Sequence, residues 1–390
     1  MIDFTYYAPT KVVFGKDTEN TVGMLAREFG AKRVLIHYGM GSVIRSGLLD
    51  KVKSSLSDAG LQYELLGGVV PNPRLSLVYK GIKLARSSNI DFILAVGGGS
   101  VIDSAKAIAV GMKTDFDVWD LYTKGKEAVD CTPIGTILTI SAAGSEMSGG
   151  SVITNENGWL KRSYGSEMMR PKFSILNPEL TYTLPPYQTA CGAADMMMHT
   201  MERYFTTEEP MEITDNIAVA LIKTVMANIR KALDNPNDYN ARAELMWASS
   251  LAHNGLTGCG GIGDWATHDI EHELGGMFDV AHGAGLSAIW SSWARHVYRV
   301  KPERFVKFAK DIFGIESEDE EDAVLTGIHA MELFYRSIGM PASVGEMGIK
   351  LTASQIEELA HKGTDGDTKT LGHFKKLNKK DLKAIFTLAR

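Results

Sequence analysis

In the first half of the chain, short continuous apolar runs alternate with stretches whose apolar residues recur every three or four positions. Residues 33–38, 61–66, 91–96, 134–140 and 173–176 read as buried strands. Between them, 43–59 (closed by Gly60), 75–87 and 101–110 carry helical spacing. Strands separated by helices at this interval predict an α/β domain with a doubly wound, mostly parallel, Rossmann-like sheet. After Leu184-Pro185-Pro186 the period becomes almost entirely helical up to the C-terminus. The proline pair continues neither element type, so it predicts a boundary between a domain 1–185 and an all-α domain 186–390.

Composition narrows the function classes. The 390 residues are 44% hydrophobic and 23% charged, as in an ordinary globular chain. No uncharged apolar run nears the ~18 residues of a membrane helix, and the first residues lack the layout of a secretory signal. A net charge of −6 offers no electrostatic case for nucleic acid or an anionic membrane. Cys131, Cys191 and Cys259 are too few and too scattered for a disulfide framework or a zinc knuckle, so a reducing, cytoplasmic setting is expected. The acidic run 316–322 reads as a solvated helix start, and the lysines of 375–383 as a surface face.

Two glycine turns follow the best strands. Gly97-Gly98-Gly99-Ser100 joins a strand to a helix, where free backbone N–H groups and the helix dipole favour an anion. Ser100 is the expected N-cap, with Asp103 as an aspartate version of the capping box. The spacing departs from Gly-x-Gly-x-x-Gly, and taken alone the turn is equally a helix cap with no ligand. The second turn is Gly39-Met40-Gly41-Ser42. No Asp or Glu lies between Arg33 and Leu49, so nothing there would repel a 2′-phosphate on an adenosine ribose. A turn of this kind, if it faces the ribose, favours NADP(H).

The second half concentrates metal-binding chemistry. Asp195 and His199 are four residues apart on a helical stretch and share one face, and His268 and His272 repeat that spacing, with His282 ten residues on. One carboxylate with several imidazoles on apolar helices suits Fe²⁺ or Zn²⁺ better than Ca²⁺ or Mg²⁺. Met196, Met197 and Met198 read as packing around the site. His268-Asp269-Ile270-Glu271-His272 also matches H-x-x-E-H, an inverted zinc-peptidase signature, but a peptidase leaves both glycine turns without a purpose.

Six ordered blocks make the chain resemble the iron-containing (group III) alcohol dehydrogenases over nearly its whole length, closest to their NADPH-dependent butanol dehydrogenase and aldehyde reductase branch. They are residues 97–103, 142–148, Asn177-Pro178 with Leu184-Pro185, 192–199, 268–272 with Leu274-Gly275, and His282-Gly283. The resemblance implies a dehydroquinate synthase-like architecture, with a dinucleotide-binding first domain and a metal- and substrate-binding second one. It also implies Asp195, His199, His268 and His282 as ligands of one divalent ion, Fe²⁺ first and Zn²⁺ as the alternative. His272 matches a nearby histidine that relays a proton without binding metal. Gly98, Gly99, Ser100 and Asp103 match pyrophosphate and nicotinamide-side contacts, and Thr139, Ser145 and Ser148 match cofactor-lining positions. Lys161 matches a cofactor-facing lysine, a role Arg162 could hold instead. Ser148 and Asn177 depart from the commoner residues of the family but keep hydrogen-bonding ability. A homodimer acting on a small alcohol or aldehyde is expected.

The expected chemistry is hydride transfer between a primary alcohol such as butanol and NADP(H), with the metal as Lewis acid at the substrate oxygen. A cyclase or lyase of related architecture would need several basic residues converging on a substrate phosphate. The metal segment instead carries Trp247, Leu251, Leu256, Ile262, Trp265 and Phe278, which suit an alkyl chain. The non-enzymatic rival is a nucleotide-sensing or metal-storage protein.

Overall fold

The computed structural model describes residues 1–208 and 211–390, which divide into a unit of residues 7–184 and a unit of residues 1–6 with 185–390. The first six residues thus belong with the helical unit, and Ile2 N–H donates to Gly260 O at 2.9 Å.

The first unit holds β1 (Lys11–Phe14), β2 (Arg33–Gly39), β3 (Gln62–Val69), β4 (Phe92–Gly97), β5 (Ile134–Leu138) and β8 (Phe173–Leu176) in one parallel sheet ordered β1-β8-β5-β4-β2-β3. Every residue of β4 and β5 is buried, so β4 reads as an unbroken apolar run, while the one hydroxyl of β5, Thr136, donates to Ser174 Oγ at 2.8 Å. Helices α1 (Val22–Glu28), α2 (Ser42–Arg45), α3 (Leu48–Asp58), α4 (Leu75–Ser87), α5 (Gly99–Gly111) and α6 (Trp119–Thr123) make or flank the crossovers. Val52 and Leu56 of α3 pack with Ile36, Leu94 and Phe173 of the sheet in one core.

Three local expectations change. The helix expected over 43–59 is two helices, because Gly47 breaks it with φ +74°. The N-cap of α5 is Gly98 rather than Ser100, and no side-chain cap bond forms there. The edge strand β1 and the antiparallel hairpin β6 (Gly150–Asn155) with β7 (Leu160–Gly165) were not expected, since both mix polar and apolar residues.

The sheet order creates a switch point. From β2 the chain crosses to β3 on one side, and from β4 it crosses to β5 on the other. Tyr38 pairs with Val96, so the two glycine turns leave adjacent strand ends side by side. Ligands of open α/β sheets bind at such a crevice.

The helical unit comprises α7 (Pro186–Tyr204), α8 (Glu212–Asp234), α9 (Tyr239–His253), α10 (Ala266–Phe278), α11 (His282–Val297), α12 (Pro302–Phe313), α13 (Glu320–Ser337), α14 (Ala353–Gly363) and α15 (Lys379–Leu388). Its core joins Met197 and Met201 of α7 with Ile222, Leu274, Trp290 and Phe308. The acidic run does open a helix: Asp319 caps α13 by accepting from Asp322 N–H. No helix among the described residues is long and apolar enough to cross a membrane.

Candidate functional site

In the helical unit, Asp195 projects from the middle of α7, His268 from the first turn of α10, and His282 opens α11. One ligand atom from each lies within 4.8 Å of the other two. His268 Nε2 and His282 Nε2 are each 3.9 Å from Asp195 Oδ1, too far for a hydrogen bond. Asp195 Oδ1 and His268 Nε2 are buried with no hydrogen-bond partner among the described residues. Such a pair is costly unless a shared cation satisfies it. An oxygen and two nitrogens converging this way fit a divalent transition ion.

His199 lies beside this trio. Its Nδ1 is 3.0 Å from Asp195 Oδ1, and its ring centre is 4.5 Å from that of His268. The His272 ring stacks 6.0 Å from His282, outside the three-residue cluster. Trp265, held in the left-handed region at φ +63°, faces the His268 ring at 5.4 Å.

Charge is arranged around these groups. Burial pushes the Asp195 carboxyl up, but His199, His268 and His282 outweigh it and hold the group well below the usual carboxylate range. Burial takes His199 down to about 4 against the pull of Asp195. His268 is also penalised by burial, yet the neighbouring carboxylates of Asp195 and Glu202 bring it up to about 9. An ion bound there would displace that proton.

Two carboxylates orient the imidazoles: Glu202, which sequence reasoning missed, and Glu271, which it met only as the glutamate of H-x-x-E-H. Buried Glu202 Oε1 meets both His268 Nδ1 at 3.0 Å and His268 N–H at 2.9 Å. Buried Glu271 Oε2 meets His282 Nδ1. Carboxylates on Nδ1 leave Nε2 as the nitrogen presented to a metal. Glu202 lies three residues after His199 and Glu271 three after His268, and only the second spacing belongs to a motif that the sequence reading singled out.

In the α/β unit, Gly98 and Gly99 start α5, whose first-turn N–H groups lack intrahelical acceptors. A Cβ on Gly98 would lie 2.1 Å from Ile140 Cγ2, so only glycine lets the turn pass there. Thr139 N–H donates to Gly97 O at 3.1 Å, and Gly39, Gly41 and Ser42 form the neighbouring turn.

Asp103 ties down the segment 145–152. Its carboxylate accepts from Ser145 Oγ at 2.6 Å and Val152 N–H at 2.9 Å. One turn on, the fully buried Lys106 ammonium reaches the carbonyls of Ser145 (2.7 Å), Ser148 (2.8 Å) and Gly150 (2.8 Å). The hydroxyls of Ser145 and Ser148 lie 2.9 and 3.4 Å from the same ammonium. Both serines and Asp103 therefore brace this loop onto α5. Burial lowers Lys106 to about 8, which leaves it mostly charged at neutral pH. Lys161 is buried on β7, and Arg162 donates to its carbonyl at 2.8 Å.

Comparison with known proteins matches the same two segments. A family described as iron-containing alcohol dehydrogenase matches residues 9–178, and its C-terminal counterpart matches residues 189–389. The probable NADH-dependent butanol dehydrogenase 2 of Bacillus subtilis is 41% identical, covering 99% of both chains. The NADPH-dependent aldehyde reductase YqhD of Escherichia coli is 35% identical, covering 93% of both. The crystal structure of an NADH-dependent butanol dehydrogenase A from Thermotoga maritima superposes with a TM-score of 0.95 at 38% identity, covering 99% of this chain and 98% of that one.

Proposed function

Because the chain belongs to the iron-containing alcohol dehydrogenase family, we propose that this metal-dependent oxidoreductase interconverts primary alcohols such as butanol with their aldehydes, using NADP(H). The observation that carries the reading is the convergence of Asp195, His268 and His282 around two buried, unsatisfied ligand atoms. His199 completes the ligand set, with Fe²⁺ as the ion and Zn²⁺ as the alternative.

The bound groups would supply a Lewis acid for the substrate oxygen and a hydride carrier for the carbinol carbon. The chain's own residues do the rest. Asp195 brings the negative charge that offsets a divalent ion, and Glu202 and Glu271 keep the imidazoles in register. Trp265 offers an apolar wall beside His268 that suits an alkyl substituent. His272 holds or gives up the proton exchanged with the alcohol, next to His282. Gly98, Gly99 and Ser100 receive the pyrophosphate on the α5 N-terminus. Thr139, Lys161 and the braced loop of Asp103, Ser145 and Ser148 shape the rest of the cofactor site.

The preference for NADP(H) rests on the turn Gly39, Gly41 and Ser42. It lacks a carboxylate, and a Cβ on Gly41 would lie 3.0 Å from Arg45 Nη1, so a guanidinium arches over it. Cationic and hydroxyl donors there suit a 2′-phosphate. Four relatives at 38–41% identity carry NADH in their names, which makes NADH the competing outcome. The test follows NADPH and NADH oxidation with butanal, before and after chelation and reloading with Fe²⁺ or Zn²⁺. Turnover that needs the ion and runs faster with NADPH supports the reading. Turnover that survives chelation overturns the metal assignment, and a preference for NADH overturns the cofactor assignment.

A further inference from the structure

Glu271 is fully buried on α10, and its Oε2 meets Nδ1 of His282. That imidazole needs an anchor: it is the first residue of α11, follows the non-helical residues 279–281, and its side chain is 26% exposed. One turn further along α11, a Cβ on Gly285 would lie 2.8 Å from Glu271 Cγ and 2.9 Å from Oε1. The missing side chain at Gly285 is therefore the notch that admits the Glu271 carboxylate between the two helices.

We infer that Glu271, seated in the Gly285 notch, is a positioning residue that fixes His282 for metal binding and sets the affinity of the centre. This rests on the metal reading proposed above. A carboxylate on Nδ1 selects the tautomer whose Nε2 lone pair is bare, and it makes that nitrogen a stronger donor. With Glu202 doing the same for His268, the ion has Asp195 directly and two further buried carboxylates behind its imidazoles. Partners of this kind typically change metal affinity by ~10- to 100-fold when removed.

The test measures Co²⁺ and Zn²⁺ affinity of the metal-free full chain by competition with a chromophoric chelator, and records the Co²⁺ visible spectrum. Glu271→Gln should weaken both metals by about 10-fold or more and shift the cobalt bands. Gly285→Ala, which crowds the carboxylate without removing it, should act in the same direction, and the double variant should be no worse than the more damaging single one. A role confined to packing would lower thermal stability but leave affinity and spectrum at wild-type values in both single variants, which would overturn the inference. Wild-type affinity retained by His282→Ala, or wild-type protein that binds no cobalt, would overturn the metal reading itself.

Discussion

Replacing Lys106 with methionine separates bracing of the cofactor loop from metal chemistry. The ammonium has three N–H donors, and three carbonyls lie at 2.7–2.8 Å, those of Ser145, Ser148 and Gly150. Methionine fills most of the volume but leaves those acceptors without a donor, and Asp103 nearby loses its compensating charge. A buried acceptor left unsatisfied costs ~1–3 kcal/mol, and removal of one member of a buried charged network ~3–5 kcal/mol. Relief from burying an ammonium offsets part of the three-carbonyl total, so the net loss expected is about 3–5 kcal/mol. At an m-value of about 2 kcal/mol/M, the urea midpoint of the α/β unit should fall by about 1.5–2.5 M. KM for the nicotinamide cofactor should rise because Ser145 to Gly150 lose their tether, while metal content stays at the wild-type level, every proposed ligand being in the helical unit. Lys106→Arg, which keeps the charge, should recover part of the stability. An unchanged midpoint and an unchanged cofactor KM in Lys106→Met would refute this reasoning.

His37 is fully buried, with Nδ1 against Leu66 O and Nε2 against Ser104 Oγ, both at 2.8 Å, and burial takes it from 6.5 down to about 4. Its depressed value means that its contribution is present above pH 6.5 and lost as pH falls toward 4. The loss is about 3 kcal/mol, visible as a steeper acid decline of the urea midpoint in wild type than in His37→Gln; equal slopes would contradict it. His272→Ala should keep its metal but lower kcat by about 10²-fold, the lower end for acid–base assistance, and a full-rate variant with an unchanged pH profile would assign the proton to solvent. Wild type should prefer NADPH by at least about tenfold, roughly 1.4 kcal/mol, and Gly39→Asp should cut NADPH affinity by repelling the 2′-phosphate; equal kcat/KM for both cofactors in wild type would show that this turn does not read the ribose.

What could be read in the sequence follows from which physical signals are local. Residues 92–96 are apolar without interruption because both faces of β4 are covered, and such runs separated by helical stretches announced a parallel sheet. Lys11–Phe14 is four residues long and half-exposed, and its place at the sheet edge comes from pairing with distant β8. The repeated four-residue spacing of Asp195/His199 and His268/His272 was visible, but which members meet depends on how α7, α10 and α11 pack. Glu202 and Lys106 were not singled out, and Glu271 only as part of H-x-x-E-H, because charged residues on helices are normally solvated. Only tertiary contact reveals that these three are buried. In hindsight Lys106 stood out, a lone charge inside the apolar stretch 104–110.

The proposed ligands Asp195, His199, His268 and His282 should bind the ion on which turnover depends. The most direct measurement titrates metal-free wild type and His282→Ala with Fe²⁺ under anaerobic conditions, recording bound iron and butanal reduction in the same samples. His282 is the most exposed of the four side chains, so its loss perturbs the fold least. Wild type should bind one ion per chain, its activity should rise in proportion to occupancy, and His282→Ala should lose both together. Full turnover in the metal-free protein, or wild-type iron binding by His282→Ala, would contradict it.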